Sequence, residues 1–263
     1  MMATQKAGSA IMGLFARNRN VITMSNLIAP RHPRTRFRAA VLMPALNEET
    51  VIGDHVASIL KAVDLPIWLI DDCSTDDTAE RAAKAGARVI KLPARLGAWG
   101  ATQAGIREAA SRGLEFVVTM DADGQHNPDD IVTLIKPIIN GECDVVIGSS
   151  LERGSKARRL AWRMMRLTSG LQIQDLTSGF RVLNHQAISL LAKPRATTLD
   201  YQDVGVLLML KQAGMRMAEV PVVMSPRANG KSRIFSSWLA VAFYMAHTLL
   251  LGTLKRSRPW NQK

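Results

Sequence analysis

The chain has 263 residues, 47% of them hydrophobic and 21% charged, which sets aside a disordered or low-complexity chain and allows one large core or two small ones. Its formal net charge of +12 sits on the two ends: residues 1–38 and 225–263 each hold seven basic and no acidic side chains, against 20 basic and 22 acidic between them. With only 5% aromatics and a near-neutral body, nucleic acid is set aside as a partner, and an anionic membrane surface suits the basic ends better.

The elements read as follows in chain order. Residues 1–36 form a basic, mobile extension; the apolar stretch AIMGLF is too short for a secretory signal and is broken by Arg17 and Arg19. RAAVLM is a short apolar run before the turn PALNE, and EETVIGDHVASILKAV has helical spacing. PIWLI ends at Asp71-Asp72, and STDDTAERAAKAG opens on a capping sequence, Ser74 followed three residues later by Asp77. ARVIKL is a third apolar run, followed by the small-residue helix GAWGATQAGIREAASRG. LEFVVTM delivers Asp121, Asn127-Pro128-Asp129-Asp130 reads as a helix start, and CDVVIGS is the fifth run. Residues 151–174 read as a mobile loop plus helix, QDLTSGFRVLN as a loop entering a strand, DVGVLLMLKQAG as a helix and MRMAEVPVVM as a strand.

Short strands alternating with helices predict an α/β fold, a mostly parallel sheet with helices on both faces. Ligands of such sheets bind beyond the carboxyl ends of the strands, where PALNE, DDCSTD and DADGQH all fall. Asp121 and Asp123 share one side of an extended segment, and two such carboxylates repel unless a cation joins them. A divalent metal that also holds a diphosphate answers that repulsion; oxygen ligands suit Mg²⁺ or Mn²⁺, and Gln125 can add a carbonyl oxygen. Neither a P-loop nor a dinucleotide fingerprint is present. Cys73 and Cys143 are too far apart for a metal-ligand spacing and fit a reduced, cytosolic compartment.

Residues 38 to about 235 resemble family 2 glycosyltransferases of the nucleotide-diphospho-sugar (GT-A) fold, especially the branch of polyprenyl-phosphate (dolichyl-phosphate) mannose and glucose synthases. PALNE is similar to P-x-Y-N-E, LIDDCSTDDT to V-D-D-G-S-x-D-x-T, and DADGQHNP to D-A-D-x-Q-H-x-P. DLTSGFRVL resembles D-x-x-S-G-F-R, and AEVPVVMSPRANGKSR resembles E-V-P-x-x-x-x-x-R-x-x-G-x-S-[KR]. The resemblance implies a catalytic domain over 37–233 that moves a sugar from a nucleotide-diphospho-sugar donor. It implies nucleoside contacts from Pro44, Leu46 and Glu48, and base contacts from Ile70 and Asp72. Asp121 and Ala122 would line the ribose and diphosphate, Asp123 and Gln125 would ligate the metal, and Arg227 and Arg233 would close on phosphates. The expected reaction is a single inverting displacement onto a lipid-linked acceptor such as a polyprenyl phosphate, or onto a hydroxyl with Asp203 as general base.

Three departures stand out: Leu46 replaces the motif tyrosine, no lysine lies in Leu96-Gly97-Ala98-Trp99-Gly100, and Gly148-Ser149-Ser150 lacks the G-S-R arginine. Competing readings are a sugar nucleotidyltransferase, which would need a G-x-G-[TS]-R-like first loop, and a non-catalytic nucleotide-sugar-binding scaffold. The 21 residues 234–254 carry no Asp, Glu, Lys or Arg and have basic clusters on both sides. They are long enough to span a bilayer, but the flanking charge favours a helix lying on the cytoplasmic side of the cell membrane. Burial in a homo-oligomer (dimer) interface or in the core is the remaining option for this segment.

Overall fold

The computed structural model describes residues 37–150, 170–197 and 204–225, together with Arg163 and Arg166. The basic extension 1–36, most of 151–169, Asp203, Arg227, Arg233 and the apolar segment 234–254 lie outside the described residues.

The described elements are β1 (Ala39–Ala45), α1 (Ile52–Ala62), β2 (Ile67–Asp71), α2 (Thr78–Lys84), β3 (Arg88–Lys91), α3 (Gly97–Ser111), β4 (Phe116–Thr119) and α4 (Asp130–Ile139). They continue with β5 (Val145–Ser149), β6 (Arg181–Asn184), α5 (His185–Leu191), a 3-10 turn at Pro194–Ala196, α6 (Val204–Gln212) and β7 (Met217–Pro221). The seven strands form one sheet in the order β3-β2-β1-β4-β6-β5-β7. All neighbours are parallel except β6, which is antiparallel to β4 and β5.

Strand alternation sorts the apolar side chains into two cores. Ala40, Leu42, Trp68, Ile70, Val117 and Ile147 face α3, α5 and α6. Val41, Met43, Leu69, Val118, Val146 and Val182 face α1, α2 and α4. Helices thus cover both faces, which is why β2, β4 and β5 are buried along their whole length, and β1 at every residue but Pro44, and read as largely apolar runs. Helix α3 packs close because Gly105 has no side chain: a Cβ there would lie 2.8 Å from Ile70 Cδ1.

The insertion of β6 is not legible in the sequence. Because β6 runs antiparallel, its first residue, Arg181, pairs with Thr119 at the C-terminal end of β4. The loop carrying Ser178, Gly179 and Phe180 therefore arrives at the same sheet edge as the carboxylate turn after β4. The capping reading at Ser74 is corrected: α2 starts at Thr78, and Asp76, not Ser74, accepts from the Thr78 backbone N–H. The Ser74 hydroxyl instead accepts from the Asn47 N–H across the loops.

Candidate active site

The turns after β1 and β2 are stitched together by polar bonds. Asn47 Oδ1 accepts from Thr75 N at 2.8 Å, Thr78 Oγ1 from Glu48 N at 2.8 Å, Asp76 Oδ2 from Glu49 N at 3.3 Å and Glu49 Oε2 from Asp77 N at 3.1 Å. Burial would raise the Asp76 carboxyl, but hydrogen bonds from the Thr78 hydroxyl and N–H and from Glu49 N–H outweigh it and hold it below the usual range. Two non-glycine residues take positive φ here, Asn47 (52°) and Cys73 (62°), where the chain reverses out of β1 and β2.

Asp71 accepts from Ser74 N at 3.1 Å and closes its own turn. Asp72 is 3% exposed and accepts from Leu96 N at 2.6 Å and Gly97 N at 2.9 Å. Asp72 thereby caps the N-terminus of α3 from another segment, satisfying two donors that the helix cannot satisfy itself. Pro44, Leu46 and Glu48 are half-buried at the end of β1 and just beyond it. Ile70 is placed differently from the sequence expectation: its side chain is wholly buried against α3, so it packs beneath this edge and does not present itself to a ligand. Ala122, 4% exposed, also packs into the core.

The carboxylate turn follows β4. The Asp121 side chain is 37% exposed and lies 3.4 Å from His126 Nε2. Asp123 is half-buried, and its Oδ1 accepts from Gln125 N at 3.1 Å across Gly124, whose φ of 72° lets the chain reverse. Gln125 is 8% exposed; its Nε2 donates to Ser225 O at 3.3 Å, while Ser225 N donates to Gln125 O at 2.8 Å. His126 is 2% exposed, bridges Met224 through the backbone and tilts against Phe180 with ring centroids 4.8 Å apart.

Three residues that the sequence reading passed over shape this turn. A Cβ on Gly179 would lie 2.7 Å from Asp121 Oδ1, so only glycine lets the Ser-Gly-Phe loop come this close. The Thr119 hydroxyl fixes that approach by donating to Gly179 O at 2.7 Å. His55 on α1, 6% exposed, forms a hydrogen bond with the Asp121 backbone. Burial drives its pKa from 6.5 to about 4, the Asp121 bond opposes this, and the nearby His126 adds to the fall. The S-G-F motif was the available signal for Gly179; His55 carried none, since a lone histidine on an amphipathic helix has no distinguishing neighbour.

The loop before Gly179 is held from two sides. Glu219 on β7 accepts from both Gln174 N and Asp175 N at 2.8 Å. Asp175, 3% exposed, accepts from Thr177 N at 3.1 Å and from Ser150 N at 3.3 Å. Arg181 is 4% exposed and sits in the middle of the sheet, between Thr119 and Ile147.

Among the described residues no three His, Cys, Asp or Glu side chains group as a complete metal shell. Asp121, Asp123 and Gln125 offer oxygen donors on one short turn. That set fits a cation such as Mg²⁺ or Mn²⁺, which takes one or two carboxylates and fills its remaining positions with water and phosphate oxygens.

Residues 40–191 match the sequence profile of "Glycosyl transferase family 2". The polyprenol monophosphomannose synthase of Mycolicibacterium smegmatis is 27% identical over 87% of this chain and 93% of its own. The UDP-N-acetylglucosamine–dolichyl-phosphate N-acetylglucosaminyltransferase of Methanococcus voltae is 27% identical over 69% and 83%. Glucosyl-3-phosphoglycerate synthase from Mycobacterium tuberculosis, solved with Mn²⁺, UDP-glucose and phosphoglyceric acid, superposes with a TM-score of 0.64 at 26% identity, covering 91% of this chain and 85% of its own. The same enzyme solved with Mg²⁺ and UDP gives a TM-score of 0.61 at 26% identity, covering 84% and 79%. With a profile match over more than half its length and a shared GT-A architecture, the chain belongs to glycosyl transferase family 2.

Proposed function

We propose that this glycosyltransferase moves a sugar, with inversion, from a nucleotide-diphospho-sugar to a phosphate-bearing acceptor, a polyprenyl phosphate at the cytoplasmic face of the membrane. One observation carries the reading: the carboxylate turn after β4 lies at the sheet edge that also holds the stitched loops after β1 and β2. In this reading Pro44, Leu46 and Glu48 flank the nucleoside. Asp72, already fixed by the α3 N-terminus, reads the base with the acceptor capacity left on its two oxygens. Asp121 and Ala122 border the ribose and diphosphate.

Asp123 and Gln125 would hold Mg²⁺ or Mn²⁺, which when bound neutralises charge developing on the departing nucleoside diphosphate. The chain's own contribution is positional: Gly179, Thr119 and His126 fix where Asp121 stands. A phosphomonoester acceptor, with its second pKa near ~6, is already anionic at neutral pH and needs little help from a general base. Arg227 and Arg233 are the basic residues suited to phosphate contact, and Asp203 is the base for a hydroxyl acceptor. The lipid acceptor is supported by the names of relatives that act on dolichyl phosphate, undecaprenyl phosphate or polyprenol. No helix among the described residues is long and apolar enough to cross a membrane, so attachment falls to the basic ends and segment 234–254. A soluble phosphorylated acceptor is the second reading, favoured by the phosphoglyceric acid in the solved structures.

The test is a panel of nucleotide-sugars with Mn²⁺ or Mg²⁺, scored for transfer to polyprenyl phosphate and to phosphoglycerate. Asp123→Ala is expected to lower turnover roughly a thousandfold or more while circular dichroism stays that of the wild type. Wild-type turnover in that variant overturns the assignment of the turn.

A further inference from the structure

The primary amide of Gln125 is committed on its nitrogen side. Ser225 O can only accept, so the atom facing it at 3.3 Å is the amide nitrogen, and Oε1 lies on the opposite side of the same planar group. The bond is one of several. Ser225 N donates to Gln125 O at 2.8 Å, His126 and Met224 form an antiparallel bridge, and Val223 N donates to Asp130 Oδ2 at 3.1 Å. Residues 222–225, which follow β7, are thus strapped across the turn that carries Asp121 and Asp123. Val222 is anchored in the core and by its N–H to Ser149 O at 3.0 Å, but Val223 is 69% exposed, so beyond Val222 these polar bonds are what hold the strap in place.

We infer that Gln125 is a positioning residue that couples cation occupancy of the carboxylate turn to closure of the strap. The inference rests on the reading of Asp123 and Gln125 as cation ligands and adds a second task for the same amide. A cation on Oε1 withdraws electron density from the amide and makes its N–H groups stronger donors, which tightens the bond to Ser225 O. Closing the strap in turn orients Oε1 before a cation arrives. By linkage the two effects are equal: whatever factor the cation adds to closure, closure adds to cation affinity. The chemistry also explains why the position holds glutamine. A glutamate would bind a divalent cation more tightly, yet it would present lone pairs to Ser225 O and open the strap. Only an amide offers an acceptor to a cation and a donor to a carbonyl at once.

Three variants of the full chain test this: Gln125→Glu, Gln125→Leu and Ser225→Pro. The last removes the Ser225 N–H and touches no proposed ligand. Amide hydrogen exchange at the strap residues 222–224, without metal, should be faster than wild type in all three by roughly three- to tenfold, the weight of one hydrogen bond. Wild-type exchange in both Gln125 variants overturns the clasp. With Mn²⁺ alone, strap exchange should slow at least about twofold in the wild type, in line with a modest coupling. It should remain fast in Gln125→Glu although calorimetry shows Mn²⁺ bound at least as tightly. Ser225→Pro should bind Mn²⁺ no more tightly than the wild type, and more weakly by at most the factor by which Mn²⁺ slows wild-type strap exchange. Wild-type strap exchange unchanged by Mn²⁺ that binds, or Mn²⁺-induced closure in Gln125→Glu equal to wild type, overturns the coupling. Absence of Mn²⁺ binding to the wild type overturns the cation reading and the coupling with it, and the metal-free exchange then reports on the clasp separately.

Discussion

Acid should destabilise this protein through His55 before its carboxylates titrate. His55 is 6% exposed on α1, its Nε2 finds no hydrogen-bond partner among the described residues, and its pKa falls from 6.5 to about 4. The sign follows from proton counting. Below pH 6.5 the unfolded chain takes up a proton on this ring, and the native state does not until near pH 4. Stability therefore falls with pH through that window, by up to ~1.4 kcal/mol per pH unit and roughly 3 kcal/mol in all. The carboxylates held low in the native state, such as Asp144, lose their contribution only below the ordinary carboxylate value, so the window is separable. The assay is urea unfolding followed by tryptophan fluorescence at pH 7.5, 6.5, 5.5 and 4.5, for wild type and His55→Asn. Asparagine keeps a donor near the position of Nδ1 and removes the titration. The variant is expected to be less stable at pH 7.5 because it leaves a cavity, but its stability should fall by about 2 kcal/mol less between pH 6.5 and 4.5. Parallel curves for the two proteins would refute the argument.

Gly179→Ala should lower turnover at least about tenfold and stability by about 1–3 kcal/mol, because the new Cβ would stand 2.7 Å from Asp121 Oδ1; steady-state kinetics and urea midpoints check both. Cys73, at φ 62°, stands where the family motif has glycine. Cys73→Gly should stabilise by about 0.5 kcal/mol, the left-handed strain relieved less the added unfolded-state entropy, and Cys73→Val should destabilise by about 1–3 kcal/mol in the same urea assay. Asp144 accepts from Arg216 N and side chain and from Asn184 Nδ2, and the Arg216 guanidinium, against opposing burial, holds its carboxyl below the usual range. Asp144→Ala should cost about 1–2 kcal/mol at pH 7 for the lost backbone and amide bonds. The difference from wild type should shrink as the pH falls below about 4, where the unfolded chain protonates first, and vanish once the native Asp144 carboxyl protonates too.

The parallel part of the fold was legible because buried strands are apolar throughout and each ended in a polar turn at one edge. β6 was not, since four residues, Arg-Val-Leu-Asn, carry no mark of direction; only the sheet shows them running against their neighbours. The D-x-D turn was legible as chemistry because two acids one residue apart at a strand end need an explanation. Its supports were not. Thr119 acts through one hydroxyl and His55 through a bond to backbone, and neither leaves a pattern in composition or spacing, while Gly179, marked only by the S-G-F motif, acts through the absence of a side chain. Ile70 shows the opposite limit: a motif letter placed it at the base, yet strand alternation puts its side chain in the core under α3.

The distribution of acids along this edge also separates scaffold from chemistry. Asp71, Asp72 and Asp175 are 4%, 3% and 3% exposed, and each spends its carboxylate on backbone N–H groups of a neighbouring turn or helix. A buried carboxylate is tolerable only with such donors, and removing them would leave an uncompensated charge. These residues are therefore fixed by folding before any ligand arrives. Asp121 and Asp123 differ: both remain partly open to solvent on a turn that glycine allows and that His126, Gly179 and the Gln125 strap hold in place. Carboxylates kept partly hydrated at a rigid strand end retain the means to exchange water for a cation and a diphosphate. A motif match alone weights Asp72 and Asp123 equally, whereas the fold buries Asp72 under two backbone donors and leaves Asp123 half-open on its turn.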